Sequence, residues 1–370
     1  MKRIHVTSTG RVWGSAIMLV GSLFAWSAPD ISHARKELLT QEEKDRQIRT
    51  ERIHLETLAL TNHGPIQTTG LTQAAARRLE QLGYRTVVDP AQPHDVTVKV
   101  KCEELKTWEG TERSGGDADM VDAAARLWKG PACQILYRFG ARWAEWRHEV
   151  RTDFAIPQEA ARKAGQADAG TYAIAQLIER LQTDPFPFLL AAEWGQSSRL
   201  VAALDAAGMT APQKQIVAGL LGAMQAVDAI PRLTAALTDP DPGIAQTAAT
   251  ALGTIGHEES IPPLLHLFKS GAPEQHRAAA LGLGRLAPLH PNSDIVPTFL
   301  SALPNEPVPM QTILVRALGK TTDRRILEPL RALHRSVLKQ VRSDSTPELK
   351  ELLTALGIAL DGFDGVHTEE

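Results

Sequence analysis

The stretch DPDPGIAQTAATALGTIGHEESIPPLLHLF, residues 239–268, decides the fold of the C-terminal half of this chain. It joins a turn rich in Asp and Pro to an alanine-rich segment containing the step Leu252-Gly253, and a second apolar segment follows Pro262. A glycine inside a helix costs about 1 kcal/mol relative to alanine. A close approach of two backbones, or an exit from the helix, would explain why Gly253 is there.

The Leu-Gly step recurs, which indicates an internal repeat. Successive glycines are 31, 31, 35 and 38 residues apart, and a proline follows each of the first four glycines after nine to thirteen residues. The steps are Leu221-Gly222, Leu252-Gly253, Leu283-Gly284, Leu318-Gly319 and Leu356-Gly357, and the prolines are Pro231, Pro262, Pro297 and Pro329.

Each repeat unit predicts a helical hairpin. The first helix is rich in small residues and can lie close to its neighbours, and the second begins near the proline, where no helical hydrogen bond is lost. Apolar residues return at helical spacing in the second helices: Leu233 and Leu237, Leu264 and Phe268, Phe299 and Leu303, and Leu330 and Leu333. One hairpin cannot bury both of its faces, so the units are expected to stack.

These residues resemble the HEAT-like repeats of bacterial and phycobilisome-lyase type. Residues 239–268 and 273–303 follow the pattern well. Residues 211–237 and 308–334 follow it more loosely, and the last unit, 346–362, keeps only its first helix. The resemblance implies an α-solenoid over residues 186–362 whose second helices line a concave binding side. The Val-Arg pair of the family is eroded to Ile244-Ala245, and basic residues survive nearby as His276 and Arg277.

The N-terminus has the outline of a secretory signal peptide, residues 1–34. Lys2, Arg3 and Arg11 precede an uncharged apolar run over residues 12–26, and Ser32-His33-Ala34 offers small residues at a cleavage site. Cleavage would give a periplasmic or secreted protein of bacterial type with no stable membrane insertion. The alternative is an inner-membrane anchor retained at residues 12–28, although the run is shorter than the about 20 residues that span a bilayer.

The region between leader and repeats predicts a small α+β domain. Residues 35–70 are expected to be a helical or linker segment, with a helix over residues 35–60. Residues 71–182 are expected to form the domain itself, which begins with a helix capped by Thr72 and ended by Gly83.

Strands follow from period-two alternation. Val96, Val98, Val100 and Cys102 share one face of a predicted strand, and residues 133–150 predict a hairpin about Gly140-Ala141. A loop is expected over residues 103–117, a short helix over 119–128, and a helix over 157–181 broken near its glycines. The predicted fold class is therefore an α+β domain followed by an all-α solenoid of HEAT-like hairpins, with a disordered tail over residues 363–370.

Cys102 and Cys133, the two cysteines of the chain, lie on inward faces of neighbouring predicted strands. In an exported protein they are candidates for a disulfide bond. The alternative is two buried thiols that face the same core.

Several strings imitate catalytic motifs and fail in context. GLGRLA at 282–287 fits a dinucleotide-binding motif but lies in a repeat helix, and HEVRT at 148–152 and HEESI at 257–261 lack the second histidine of a zinc site. No cofactor, metal or catalytic residue is predicted. A formal net charge of −3 gives no electrostatic footprint for nucleic acid.

The surface of the second helices carries the binding candidates. They form a modestly basic set that could attract an anionic partner, or could be an ordinary solvated face: Arg232, His266, Lys269, Arg331 and Arg335. In the predicted α+β domain, which we also call the front domain, Trp143 shares a strand face with charged residues and is a candidate anchor for a partner.

We expect a non-enzymatic scaffold or adaptor that binds another protein or peptide of the cell envelope through its solenoid. Two alternatives stay open. The resemblance to bilin lyases implies an enzyme acting on chromophores, and the α+β domain could instead bind a small ligand.

Overall fold

The computed structural model describes residues 40–110, 126–140 and 142–364. From Gln41 onward, these residues form one compact unit in which a mixed β-sheet packs with a stack of helices. The predicted signal peptide, its alternative as an anchor, and residues 365–370 of the expected disordered tail fall outside the described residues. Phe363 and Asp364, expected in that tail, belong to the last helix instead. Among the helices that are described, none combines the length and the apolar character needed to cross a bilayer.

Six described strands form the sheet, in the order β2-β1-β4-β5-β6 with β3 also paired to β1. The strands are β1 Arg52–Thr61, β2 Gly64–Ile66, β3 Arg85–Val87, β4 Val96–Gly110, β5 Arg126–Phe139 and β6 Arg142–Arg151. The β1–β3 and β1–β4 pairs are parallel, and the other pairs are antiparallel. Chain order therefore differs from spatial order at β1, which connects through a helix to its parallel neighbours.

The helix expected over residues 35–60 is wrong beyond Ile48. Helix α1 covers only Gln41–Ile48, and β1 follows as an interior strand of the sheet. Ile53, Leu55 and Ala59 point into the core, with Ile53 and Ala59 fully buried. Parallel pairing with β4 satisfies the backbone of β1 through hydrogen bonds to a strand more than 40 residues away.

The predicted strand with Val96, Val98, Val100 and Cys102 on one face is confirmed, because all four side chains are buried. The loop expected from residue 103 is wrong as far as Gly110, where β4 ends. Residues 126–128 of the expected helix are strand instead, and the remainder of that helix lies outside the described residues. The hairpin between β5 and β6 is confirmed, with Gly140 in the left-handed region at a φ of 59°.

Three helices of this region accompany the sheet: α2 Thr69–Gln81, α3 Pro157–Lys163 and α4 Ala169–Leu181. Helix α2 begins at Thr69, three residues before the predicted cap Thr72. The Thr72 hydroxyl therefore lies inside the helix, where it donates to the carbonyl of Thr68 instead of capping the first turn. Gly83 follows the helix with a φ of 85°, as a helix-terminating glycine does. The break between α3 and α4 lies at Gly165, which also has a positive φ of 69°.

Helical pairs make up the C-terminal part. The first helices are α5 Phe186–Glu193, α7 Ala211–Ala223, α9 Pro242–Ile255, α11 Pro273–Leu286, α13 Val308–Leu318 and α15 Pro347–Asp364; the second helices are α6 Ser197–Leu204, α8 Ile230–Ala236, α10 Ile261–Ser270, α12 Ile295–Ala302 and α14 Leu327–Ser343. The apolar positions predicted in the second helices are buried, apart from Leu333, which is half-buried. This arrangement is consistent with a HEAT repeat solenoid.

The glycines of the Leu-Gly steps allow the first helices to pack backbone to backbone. A Cβ built on Gly253 would lie 2.6 Å from the Cα of Gly282 in the next unit, and one on Gly222 would lie 2.8 Å from the Cα of Ala251. The chain leaves α9 at Gly256, which has a φ of 78°. Gly253 is therefore explained by close approach, and the exit from the helix uses a different glycine.

A polar hub joins the sheet to the first helical pair. The amide nitrogen of Gln196 donates to the carbonyls of Gln47, Ile48 and Thr50, and its amide oxygen accepts a 2.6 Å hydrogen bond from the Tyr84 hydroxyl. Burial raises the pKa of Tyr84. Tyr84 therefore stays a neutral donor, and the buried Gln196 side chain ties the end of α1 and the loop after it to the first helical pair, about 150 residues away.

Candidate partner-binding surfaces

A groove of 510 Å³ lies where the second helices α10 and α12 meet the start of α13. Its described lining mixes two aromatic rings, hydroxyls, small side chains and charges of both signs: Phe268, Lys269, His276, Asp294, Pro297, Thr298, Ser301, Ala302 and Glu306. Its size and mixed polarity suit a side chain or a short peptide segment better than a large apolar ligand.

His276 holds one wall of this groove. Its ring stacks on Phe268 with ring centroids 4.1 Å apart, Nδ1 contacts the Phe268 carbonyl oxygen, and Nε2 lies 3.0 Å from the Glu306 carboxylate. His276 thus links α10, α11 and the turn before α13. His276, one of the basic residues that survive near this column of the repeat, therefore makes a contact between repeat units.

Two predicted residues of α10 have different environments. Lys269 is exposed and lines the groove, whereas His266 is exposed without being part of the lining. Arg232 of α8 forms an ion pair with Asp205, which follows α6. Arg232 therefore connects two units of the stack, and its charge is already compensated.

Arg331 and Arg335 lie together on α14, the longest of the second helices. Arg335 lines a second groove of 500 Å³ with Ala332, Ser336, Leu338, Lys339 and Arg342. Lys339 and Arg342 were missed by the sequence analysis, although their spacing of four and seven residues from Arg335 places them on its face of the helix. Lys269 and Arg335 line separate grooves, so the structure does not bring all the predicted cations into one site.

Trp143 is 40% exposed at the start of β6. The Arg138 guanidinium carbon lies 5.2 Å from its ring centroid and the Lys99 ammonium 5.9 Å, both within the range of cation–π contacts. Both cations also pair with Glu56, at 2.9 Å for Arg138 and 3.9 Å for Lys99. Trp143 is accessible, and the two cations beside its ring share one carboxylate, that of Glu56.

A third groove, of 460 Å³, lies at the junction of sheet and helices and is lined by Ile48, residues 81–83 and α6 with its flanks. Arg199 lines it, donating to the Leu82 carbonyl and to Gln196 and stacking over Tyr84 at 4.1 Å. These contacts hold the Arg199 guanidinium in place within the hub. Ile48 is 53% exposed at the same groove.

Cys102 and Cys133 are directly opposite each other on β4 and β5, with their sulfur atoms at disulfide distance and their Cα atoms 3.8 Å apart. Both are fully buried. A covalent link here would tie together the two longest strands of the sheet at its centre.

Within the described ranges, no three His, Cys, Asp or Glu side chains come close enough together to hold a metal ion. Two histidines of the second and third units have structural contacts instead: His276 contacts Phe268 and Glu306, and His290 Nε2 lies 2.8 Å from the Gly256 carbonyl oxygen. Asp323 shows a clear electrostatic perturbation, because hydrogen bonds from Arg325 lower its pKa. That pair caps the turn before α14.

Comparison with known proteins supports the helical part. Residues 198–284 match the family of HEAT repeats, a stretch that runs from α6 to α11. Comparison with curated proteins gives no match. HEAT repeats are generally scaffolds for protein interaction, and this is compatible with the open grooves along α10, α12 and α14.

Proposed function

We propose that this protein is an exported, non-enzymatic scaffold or adaptor that binds another envelope protein or a peptide through its solenoid. The observation that carries the proposal is the groove between α10 and α12, a peptide-sized cleft on second helices within or next to the matched repeats. Solenoids use such extended surfaces for binding.

Export is supported by the leader at residues 1–34 and by the cysteine pair, because disulfides persist in oxidising compartments. The same proposal includes a relation to the phycobilisome-lyase type of repeat and a location in the bacterial envelope. A membrane anchor retained at residues 12–28 is its alternative to cleavage of the leader. The bilin-lyase alternative stays a prediction from the resemblance.

A crosslinking capture from cell envelopes tests this function with the full-length tagged protein. The groove variant is Lys269→Glu combined with Ser301→Arg, which inverts one charge of the lining and fills the cleft. The matched control is Trp143→Ala on the sheet. We expect the groove variant to lose the captured protein and the control to keep it.

The opposite result, loss with Trp143→Ala and retention with the groove variant, would move the binding surface to the sheet. Capture unchanged in both variants would contradict binding through the α10–α12 groove. Melting curves of both variants check that neither change unfolds the protein.

A second candidate is small-ligand binding by the front domain, favoured by the groove at Ile48 and Arg199. A thermal-shift screen against small metabolites, repeated with Ile48→Trp to fill the groove, tests it. A stabilising compound whose effect survives Ile48→Trp would argue against this groove.

A further inference from the structure

The last helical pair differs from the others in length. Helix α14 has 17 residues and α15 has 18, whereas the second helices α8, α10 and α12 have 7, 10 and 8. One side of α14 packs on the core through the buried residues Leu330 and Val337. The other side is exposed, and the added turns extend it.

That exposed side is basic. Arg331, Arg335, Lys339 and Arg342, which we call the α14 basic stripe, lie at positions i, i+4, i+8 and i+11 of the helix and therefore on one face. Glu328 is the one acidic residue of α14, and its carboxylate accepts a hydrogen bond from Arg331. The chain as a whole has a formal net charge of −3, so the stripe runs against the overall charge.

Three cations of the stripe, Arg335, Lys339 and Arg342, differ from other arginines of the solenoid. Arg232, Arg316 and Arg325 each form an ion pair with a carboxylate. In the part of the chain that the structure describes, no carboxylate lies within ion-pair distance of Arg335, Lys339 or Arg342. Three neighbouring positive charges are thus left for an external anion.

The shape of the surface restricts that anion. The stripe borders the 500 Å³ groove, whose lining also includes the small side chains Ala332 and Ser336 and the half-buried Leu338. With a rise of 1.5 Å per residue, neighbouring cations are about 6 Å apart along the axis and the stripe spans about 16 Å. All of the lining residues belong to α14, so the strip matches a polypeptide segment of similar length, whereas an anionic bilayer covers a wider area and would be repelled by the acidic remainder of the chain.

We propose that the α14 basic stripe docks an acidic peptide segment of the partner protein. Carboxylates at i and i+4 of a helix repeat about every 6 Å and would match the spacing of the cations. This inference rests on the proposed scaffold function and adds the charge class of the partner and the place where it binds.

The test uses the full-length protein and a fluorescent 16-residue peptide with Glu at every fourth position and Ala and Gln elsewhere. Its twin has Gln in place of each Glu. The stripe variant is Arg335→Gln, Lys339→Gln and Arg342→Gln together, and the matched control replaces three other exposed cations of the solenoid, Lys320→Gln, Arg324→Gln and Lys350→Gln. Fluorescence anisotropy measures Kd at 50 and 500 mM salt.

The acidic peptide should bind more tightly than its twin and lose affinity at high salt. The stripe variant should raise Kd about tenfold, as expected for three exposed ion pairs, and the control by less than about twofold. Equal binding of the two peptides, or equal weakening by the two variants, would overturn the inference. If the protein binds vesicles with 30% anionic lipid but does not bind the acidic peptide, the ligand of the stripe is a membrane surface, and the inference is also overturned.

Repeating the envelope capture with the stripe variant separates this inference from the proposed function. If the variant still captures the partner, the partner is not held through an acidic segment on α14, and the scaffold function stands without this inference. If no partner is captured by any form while the acidic peptide still binds α14, the proposed function fails and the stripe remains an anion-binding surface.

Discussion

Replacing Gly253 with alanine tests whether the solenoid depends on backbone contact between first helices. The added methyl carbon would lie 2.6 Å from both the Cα and the carbonyl oxygen of Gly282. Both of these atoms belong to the backbone of α11, so no side chain can rotate away, and the two helices must separate. Overpacking of this kind costs about 1–3 kcal/mol, and the contact with backbone places Gly253→Ala near the upper end.

A gain in helix propensity of about 1 kcal/mol opposes this cost. The expected net effect is a loss of about 2 kcal/mol in the free energy of unfolding. Gly357→Ala is the matched control, because Gly357 belongs to the same Leu-Gly pattern inside α15 and, among the described residues, no atom beyond the helix's own backbone lies within 4 Å of the added carbon. That substitution should raise the free energy of unfolding by about 0.5–1 kcal/mol.

Urea denaturation followed by circular dichroism at 222 nm compares the two variants with the unmodified chain. The sign is the decisive result, since propensity alone predicts stabilisation at both sites. A stabilised Gly253→Ala variant would refute close approach as the reason for glycine at this step.

Three further predictions concern the sheet, the junction and the turn before α14. Removing the bridge with Cys102→Ala and Cys133→Ala should lower stability by about 3–4 kcal/mol, from the chain entropy of a loop with a separation of 31 residues; equal melting temperatures of the unmodified chain with and without reductant would contradict it. Gln196→Ala should cost about 2–3 kcal/mol, since it removes the acceptor of the buried Tyr84 hydroxyl and the donor to the Ile48 carbonyl, and takes one of two donors from the carbonyls of Gln47 and Thr50; a urea midpoint within error of the unmodified chain would show that the hub adds nothing. Because the folded-state pKa of Asp323 is lowered by Arg325, its stabilisation should be complete above the usual Asp pKa of about 3.9 and should fade as the pH drops below that value. Asp323→Asn should therefore show a smaller loss of stability between pH 5 and pH 3 than the unmodified chain, and identical pH profiles would exclude that contribution.

Patterns that depend on a residue's near neighbours in the chain were readable from the sequence. The alternation from Val96 to Cys102 identified a strand with one buried face, and the recurrence of Leu-Gly and proline identified stacked helical pairs. These periods are set by the geometry of a strand or helix over a few residues, so they can be recognised without knowing which element packs against that strand or helix. The match of residues 198–284 to HEAT repeats rests on the same local pattern.

Strand β1 shows where such reasoning failed. Its charges and scattered leucines were interpreted as a helix, although Ile53, Leu55 and Ala59 do alternate on one face. Whether that segment becomes helix or strand depends on β4, whose backbone groups pair with it from residue 96 onward. Secondary-structure propensity is weak compared with pairing of this kind.

The sequence by itself determined that the chain has a strand-rich front region and a helical repeat, and it named Cys102, Cys133, Lys269 and Arg335 as residues to watch. Only the tertiary structure decided that Gly253 faces Gly282, that Arg232 is held by Asp205, and that Arg335 has Lys339 and Arg342 beside it on an open groove. The reason is physical. The periodicity of a helix or strand depends on residues that are close together in the chain. Whether a surface cation is free to bind a partner depends instead on whether the fold brings a distant carboxylate next to it.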